Sequence, residues 1–302
     1  SPDGTRLAGV GYDDTVHLWN PYTGRELGSL KGVSSWSLAY SRDGKRLFVV
    51  ADVPRVLQSL NATTLAVEFR IPLPIGVPFH ALAVSHSGER VAVGSHSAGG
   101  VVALVDINSR QVISQGGWKG GGDVDNLTFD ARDTSLIALD NKGNLIQFSL
   151  PDLVFAAQTK AHAGVARGFA LSPDGRTLVS AGVDDRIVLS DPSSLNPISI
   201  LSDKVGSANS LAFSPGGEVL AEAGFAPYRV RFWNVRTGGR LPDGPEVPQV
   251  VMSLAWSPDG QLLAVGSEDS VVRIWRRVTS PPTPTTKSPA GAPQAQVPAA
   301  SR

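Results

Sequence analysis

The chain has no cysteine, so neither a disulfide framework nor a thiolate metal site is open to it. No charge of one sign is in excess. The 27 basic and 27 acidic residues balance, leaving no global field to gather nucleic acid or an anionic membrane. No apolar run is long enough to read as a membrane helix. Methionine is nearly absent, with only Met252, and the first residue is Ser1. The sequence therefore reads as lacking its natural start, with any leader upstream of it. Catalytic signatures are missing as well. There is no Gly-x-Ser-x-Gly elbow, no His-Glu-x-x-His and no phosphate loop ending in Lys-Ser/Thr. The glycines around Trp118 lack that ending and read as a flexible loop.

What is present is a repeat. A short turn begins at Ser1, Ser41, Ser85, Asp130, Ser172, Ser214 and Ser257, at intervals of 40, 44, 45, 42, 42 and 43 residues. Three copies read Ser-Pro-Asp-Gly, at Ser1, Ser172 and Ser257. Pro presets the backbone of the turn, Asp bonds its own main chain, and Gly accepts the positive φ that closes it. Ahead of each turn runs strict alternation, as in Leu38-Ala39-Tyr40, Leu127-Thr128-Phe129 and Leu211-Ala212-Phe213, which predicts a strand. A second strand follows the turn. An acidic turn then leads to a third strand, which ends in Trp19, Trp233 or Trp275 in three of the repeats. A period in the low forties with four strands per period predicts an all-β, seven-bladed β-propeller, each blade a four-stranded antiparallel sheet.

The layout resembles the WD-repeat family over residues 1 to about 277, best at Asp13 to Gly24, His162 to Asp191 and Ser253 to Trp275. The Trp-Asp pair that names the family is mostly Trp-Asn or lost here, and its Gly-His dipeptide is nearly absent. The resemblance implies a structural hydrogen-bond network in which His162 serves Ser180 and Asp184, with Ser190 where the family has Trp. It extends that structural role to Trp19, Trp233, Trp275, Asp13 and Asp269. It also implies that the chain start supplies the outer strand of the last blade. Since Ser1 already lies in a turn, the first strand of blade 1 and the last strand of blade 7 are expected to be missing, leaving imperfect closure and open strand edges. The domain is expected to span 1–278. The tail 279–302, with six prolines and no Leu, Ile or aromatic residue, reads as a disordered end or linker.

The resemblance places the loop before each first strand and the acidic turn on one face, around the channel mouth. Five residues before each turn stand Trp36, His80, Asp125, Arg167, Asn209 and Met252, which differ in size and charge while the core positions repeat. Such variation inside a regular frame suits a binding rim. The candidate partner-binding residues are Trp36, Phe79, His80, Trp118, Asp125, Arg167, Asn209 and Tyr228, rich in the aromatic and arginine groups of interface hot spots. The plainer alternative is that Trp36 and His80 plug the channel while Asp125 and Arg167 are solvated charges. A metal site on His80 and Asp125 lacks further ligands at that offset, so neither metal nor cofactor is expected. Within the sixth repeat a Lys204–Glu222 pair is expected to replace the usual network, or else both are solvated.

The function that follows is a non-catalytic scaffold docking a protein or peptide on its rim. It is expected to be monomeric, to bind neither nucleic acid nor membrane, and to be part of a larger polypeptide carrying an effector domain. A cytoplasmic location is favoured over an extracytoplasmic one. Two alternatives stay open. One is a lactonase-like enzymatic propeller, suggested by the strand Val101 to Asp106. The other is a propeller accompanying a hydrolase domain.

Overall fold

Period-two patterning becomes twenty-five strands and no helix in a computed structural model, which describes residues 1–73, 78–96, 99–202, 206–226 and 228–277. Lys204 and the expected tail lie outside the described residues. The strands form seven antiparallel sheets, the blades of a β-propeller. Blade 1 holds β1 (Leu7–Val10), β2 (Thr15–Trp19) and β3 (Glu26–Lys31). Blade 2 holds β4 (Leu38–Tyr40), β5 (Arg46–Ala51), β6 (Val56–Asn61) and β7 (Val67–Pro72). In blade 3 are β8 (Phe79–Val84), β9 (Arg90–Ser95), β10 (Val101–Asp106) and β11 (Gln111–Gly117). Blade 4 follows with β12 (Val124–Phe129), β13 (Ser135–Asp140), β14 (Asn144–Ser149) and β15 (Val154–Lys160). Blade 5 has β16 (Ala166–Leu171), β17 (Leu178–Gly182), β18 (Ile187–Ser190) and β19 (Pro197–Ser202). Three strands each make blade 6, with β20 (Ala208–Phe213), β21 (Val219–Gly224) and β22 (Arg231–Asn234), and blade 7, with β23 (Val251–Trp256), β24 (Leu262–Ser267) and β25 (Val272–Arg276).

Blades 1 and 7 have three strands each among the described residues, as the strand count predicts. Blade 6 corrects the expectation of four. Its outer segment carries Pro242, Pro245 and Pro248, which cannot donate to a ladder, and only the isolated bridges Trp233↔Arg240 and Arg229↔Glu246 form there.

Burial follows each strand's place in its blade. β13 is buried along its whole length, whereas the outer β11 alternates exposed and partly buried residues. The core lies between blades rather than within one sheet. Six apolar clusters occupy the six junctions from blade 1/2 to blade 6/7. Phe129 and Phe148 anchor the one at 3/4, and Val179, Leu220 and Trp233 the one at 5/6. Between blades 7 and 1 there is instead a cleft lined by Leu7, Trp256, Leu262 and Ile274.

The repeated turns knit the ring on one face. In four of the turns the first serine donates to the turn aspartate, at 2.6 Å for Ser41–Asp43 and 2.5 Å for Ser172–Asp174, and accepts the amide five residues on. The turn glycine, at positive φ, then receives the second turn residue of the preceding blade. A Cβ at Gly44 would meet Pro2 at 3.4 Å, at Gly260 Pro215 at 3.5 Å, and at Gly175 Ala131 at 2.5 Å. The same contact joins blade 7 to blade 1, where Gly4 faces Pro258 and the Tyr22 hydroxyl donates to Asp259 at 3.2 Å. Blade 4 has Asp133 in the glycine's place, at φ 55°. Its carboxylate accepts the His86 and Ser87 amides of blade 3, each at 2.7 Å, so a charge-assisted bridge replaces the packing contact.

Candidate functional site

On the opposite face, the first strands share a departure from regular pairing. The ladder slips by one residue between Phe79 and Ala81, Val124 and Asn126, Ala166 and Gly168, Ala208 and Ser210, and Val251 and Ser253. The residue passed over is His80, Asp125, Arg167, Asn209 or Met252. Each is the extra residue of a β-bulge, which frees a side chain from the ladder and re-aims it. In blade 2 the strand begins only at Leu38, and Trp36 stands just ahead of it. Five of the six variable positions of the repeat are therefore one structural device.

These side chains differ in setting. Trp36 is 49% exposed and Met252 39%, and Arg167 is exposed without an ion pair to any described residue. Asn126 Nδ2 donates to the Arg167 carbonyl at 2.7 Å and so ties the bulges of blades 4 and 5 together. Asn209 donates to the Val251 carbonyl at 3.4 Å. Tyr228, 39% exposed, lies in the connection between β21 and β22. Two expected contact residues are placed elsewhere. Phe79 is buried in the junction of blades 2 and 3, because it occupies the inward register beside its bulged neighbour. Trp118 is 8% exposed, with its ring centroid 5.8 Å from that of Phe148. The glycines about Trp118 exist to admit it, since a Cβ at Gly100 or Gly121 would meet its ring carbons at 2.8 Å.

Across blades 1 to 3 the rim carries a continuous strip of rings. Tyr12 meets Trp36 edge-on at 5.3 Å, Trp36 stacks on His80 at 4.8 Å, and His80 stacks on His96 at 4.1 Å. Beyond it, His96 Nδ1 lies 3.4 Å from the Asp123 carboxylate, which also accepts Asn141 Nδ2 at 3.0 Å. Burial and the adjacent His96 bring the His80 imidazole down to about 4, against the pull of Asp123, so it is neutral near pH 7. Burial pushes Asp125 up to about 6, although Arg167 and His96 favour its ionised form. Burial also raises Asp52, against the Trp36 indole, Arg55 and the Phe79 amide. The sequence points to Trp36 and His80 but not to Tyr12, Asp52, His96 and Asp123 as their companions. Those four come from turns and a loop that the repeat offset does not align.

The network residues differ in burial, from buried His162 to exposed Asp13. His162 bridges Asp184 at 2.8 Å and Ser180 at 2.9 Å, and burial lowers its pKa, against the pull of Asp184. Asp13 accepts His17 Nε2 at 2.9 Å, and His17 stacks on Trp19. Asp269 is bridged by Arg273 at 2.6 Å. Trp233 and Trp275 pack in the junctions of blades 5/6 and 6/7. Glu222, 1% exposed, pairs with Arg231 at 3.0 and 3.1 Å, so its partner among the described residues comes from the neighbouring strand of its own blade. Among the described residues, no group of three His, Cys, Asp or Glu side chains is arranged to hold a metal, and no helix is long and apolar enough to cross a membrane.

The sequence matches the family model "WD domain, G-beta repeat" at residues 1–20, 155–191 and 243–276. It is 29% identical over 219 residues to telomerase protein component 1 of Rattus norvegicus, covering 70% of this chain and 8% of that one. It is 33% identical over 140 residues to the small ribosomal subunit protein RACK1 of Candida albicans, covering 43% of each. An uncharacterized WD repeat-containing protein of Synechocystis is 31% identical over 117 residues, covering 38% of this chain and 33% of that one. The chain thus spans less than half the length of each of these relatives. Seven blades, the recurrent serine turns, the His162–Ser180–Asp184 bonds and these matches agree: the chain belongs to the WD-repeat β-propeller family.

Proposed function

We propose that the chain is a non-catalytic docking module that takes a protein or peptide segment across the channel mouth, on the bulged residues of the first strands. The observation that carries this reading is the bulge itself. One backbone device recurs in five blades and presents a different side chain each time, His80, Asp125, Arg167, Asn209 and Met252. A purely structural position would repeat its residue, as the turn serines do. WD-repeat proteins are as a rule interaction scaffolds, which agrees with this reading.

Selection of a phage-displayed random peptide library against the chain tests it. Recovered peptides should bind the parent and lose at least about tenfold in affinity for a Trp36→Ala/Arg167→Ala/Met252→Ala variant that still unfolds cooperatively at the parental temperature. Peptides that bind parent and variant alike would place docking elsewhere and defeat the reading.

A further inference from the structure

The rim is not uniform, and its first half has a chemistry of its own. The ring strip Tyr12–Trp36–His80–His96 spans blades 1 to 3, and its first two members are open, with Tyr12 72% and Trp36 49% exposed. Three carboxylates surround its inner end. Asp123 lies 3.4 Å from His96, while Asp52 and Asp125 both lie within electrostatic reach of His96. Two of these groups present a buried oxygen that accepts no hydrogen bond from any described residue, Asp52 Oδ1 and Asp125 Oδ2. The local cations do not neutralise them. Arg55 and Arg167 act on Asp52 and Asp125 through space without an ion pair, and Lys142 is held by the Gly120 and Gly121 carbonyls. His80 and His96 lie face to face, with ring centroids 4.1 Å apart.

Exposed ring faces beside unpaired acceptors and net negative charge call for a donor-rich, flat cation. We propose that this aromatic–acidic corner seats the guanidinium of an arginine in a docked peptide, stacked on the exposed Trp36 ring with its N–H groups directed at Asp52 and Asp125. A guanidinium meets both demands at once, because its plane stacks on rings while its fixed fork of donors serves carboxylates. An ammonium offers the charge without the plane. The assignment rests on the rim as the docking face and names the chemistry of what docks there.

The test uses N-acetyl-arginine methylamide and its neutral citrulline counterpart, titrated into the full chain while histidine ring and tryptophan indole resonances are followed by NMR. The arginine probe should shift the Trp36 and His96 signals saturably, with citrulline about tenfold weaker. Asp125→Asn and Asp52→Asn should each weaken the arginine probe several-fold while leaving the thermal transition cooperative. Equal responses to the two probes, arginine shifts confined to other residues, or arginine binding that both variants retain would each overturn the assignment. The two readings fail separately. If the arginine probe fails while displayed peptides still depend on Trp36, Arg167 and Met252, the guanidinium site falls and rim docking stands. If no rim-dependent peptide is recovered, rim docking falls.

Discussion

The two faces of this ring are made from the same repeat and have opposite chemistry. On the turn face, the seven short turns share one arrangement: four of them bond serine to aspartate within the blade, and in each a glycine or its substitute meets the preceding blade. On the mouth face, one backbone bulge presents side chains that share neither charge nor size. Repetition on one side and variety on the other separate two duties. The turn face joins blade to blade, including blade 7 to blade 1, where no apolar cluster is present among the described residues. The mouth face is free to diversify, because a bulged residue lies outside the ladder and outside the core.

If that division holds, damage to the turn face falls on stability. Gly175 has φ 69°, and a Cβ there would meet Ala131 Cβ at 2.5 Å. Gly175→Val brings a β-branched residue into the left-handed region and into that contact. The expected loss is about 2–4 kcal/mol, measured by urea unfolding at neutral pH. A loss no larger than that of an ordinary surface change would remove the packing role from the turns.

Asp133 sharpens the point, because it is the one turn residue that replaces packing with hydrogen bonds. Despite partial burial, the His86 and Ser87 amides hold its carboxyl below the usual range. Asp133→Ala should cost about 1–3 kcal/mol, since two amides lose a charged acceptor and the left-handed φ of 55° remains. Asp133→Gly loses the same bonds but fits the backbone, so it should recover about 1 kcal/mol of that loss. Equal unfolding free energies for the two variants would show that φ contributes nothing here.

How much of this is legible in the sequence depends on whether the signal is local. The turn residues declare themselves because Pro, Asp and Gly act within four residues, and strand alternation declares itself in the same way. The contact of Gly44 with Pro2 is silent, since it joins turns forty residues apart. At the mouth, the offset of Trp36, His80 and Asp125 is readable, whereas the bulge that gives it meaning is a property of pairing between strands. Phe79 and Trp118 show the limit most clearly. An aromatic residue near a rim looks the same in sequence whether it points out or in, and here register and a set of small glycines turn both inward. Glu222 is visible as an oddity in mid-strand, but its partner Arg231 is recognisable only once β21 and β22 are paired.

The mouth face predicts two pH responses of opposite sign. Asp125 stands at about 6 in the fold against an ordinary 3.8, so the native state holds the extra proton between those values. Its contribution to stability is complete below the ordinary value and is lost as pH rises through about 6. His80 stands at about 4 against an ordinary 6.5, so its neutral ring contributes above 6.5, and that contribution fades as pH falls toward 4. Relative to the parent, Asp125→Asn should therefore gain stability by about 1–2 kcal/mol on going from about pH 4 to about pH 8. His80→Gln should move the other way over the same range. Thermal unfolding of the three proteins across that range checks both signs, and parallel curves would mean that neither group carries a shifted pKa.

The smallest expected effect is the one that separates the faces most cleanly. Met252 is 39% exposed, and the Arg167 side chain makes no ion pair with any described residue. The bond that ties Arg167 to Asn126 runs through its carbonyl and survives truncation of the side chain. Met252→Ala and Arg167→Ala should thus leave unfolding free energy within about 0.5 kcal/mol of the parent, singly and together. Both sit on bulges, and a bulge is held by the ladder on either side of it rather than by its own side chain. A larger loss would mean that the variable residues brace the inner strands, and variety at the mouth would then need a structural cause in place of a recognition one.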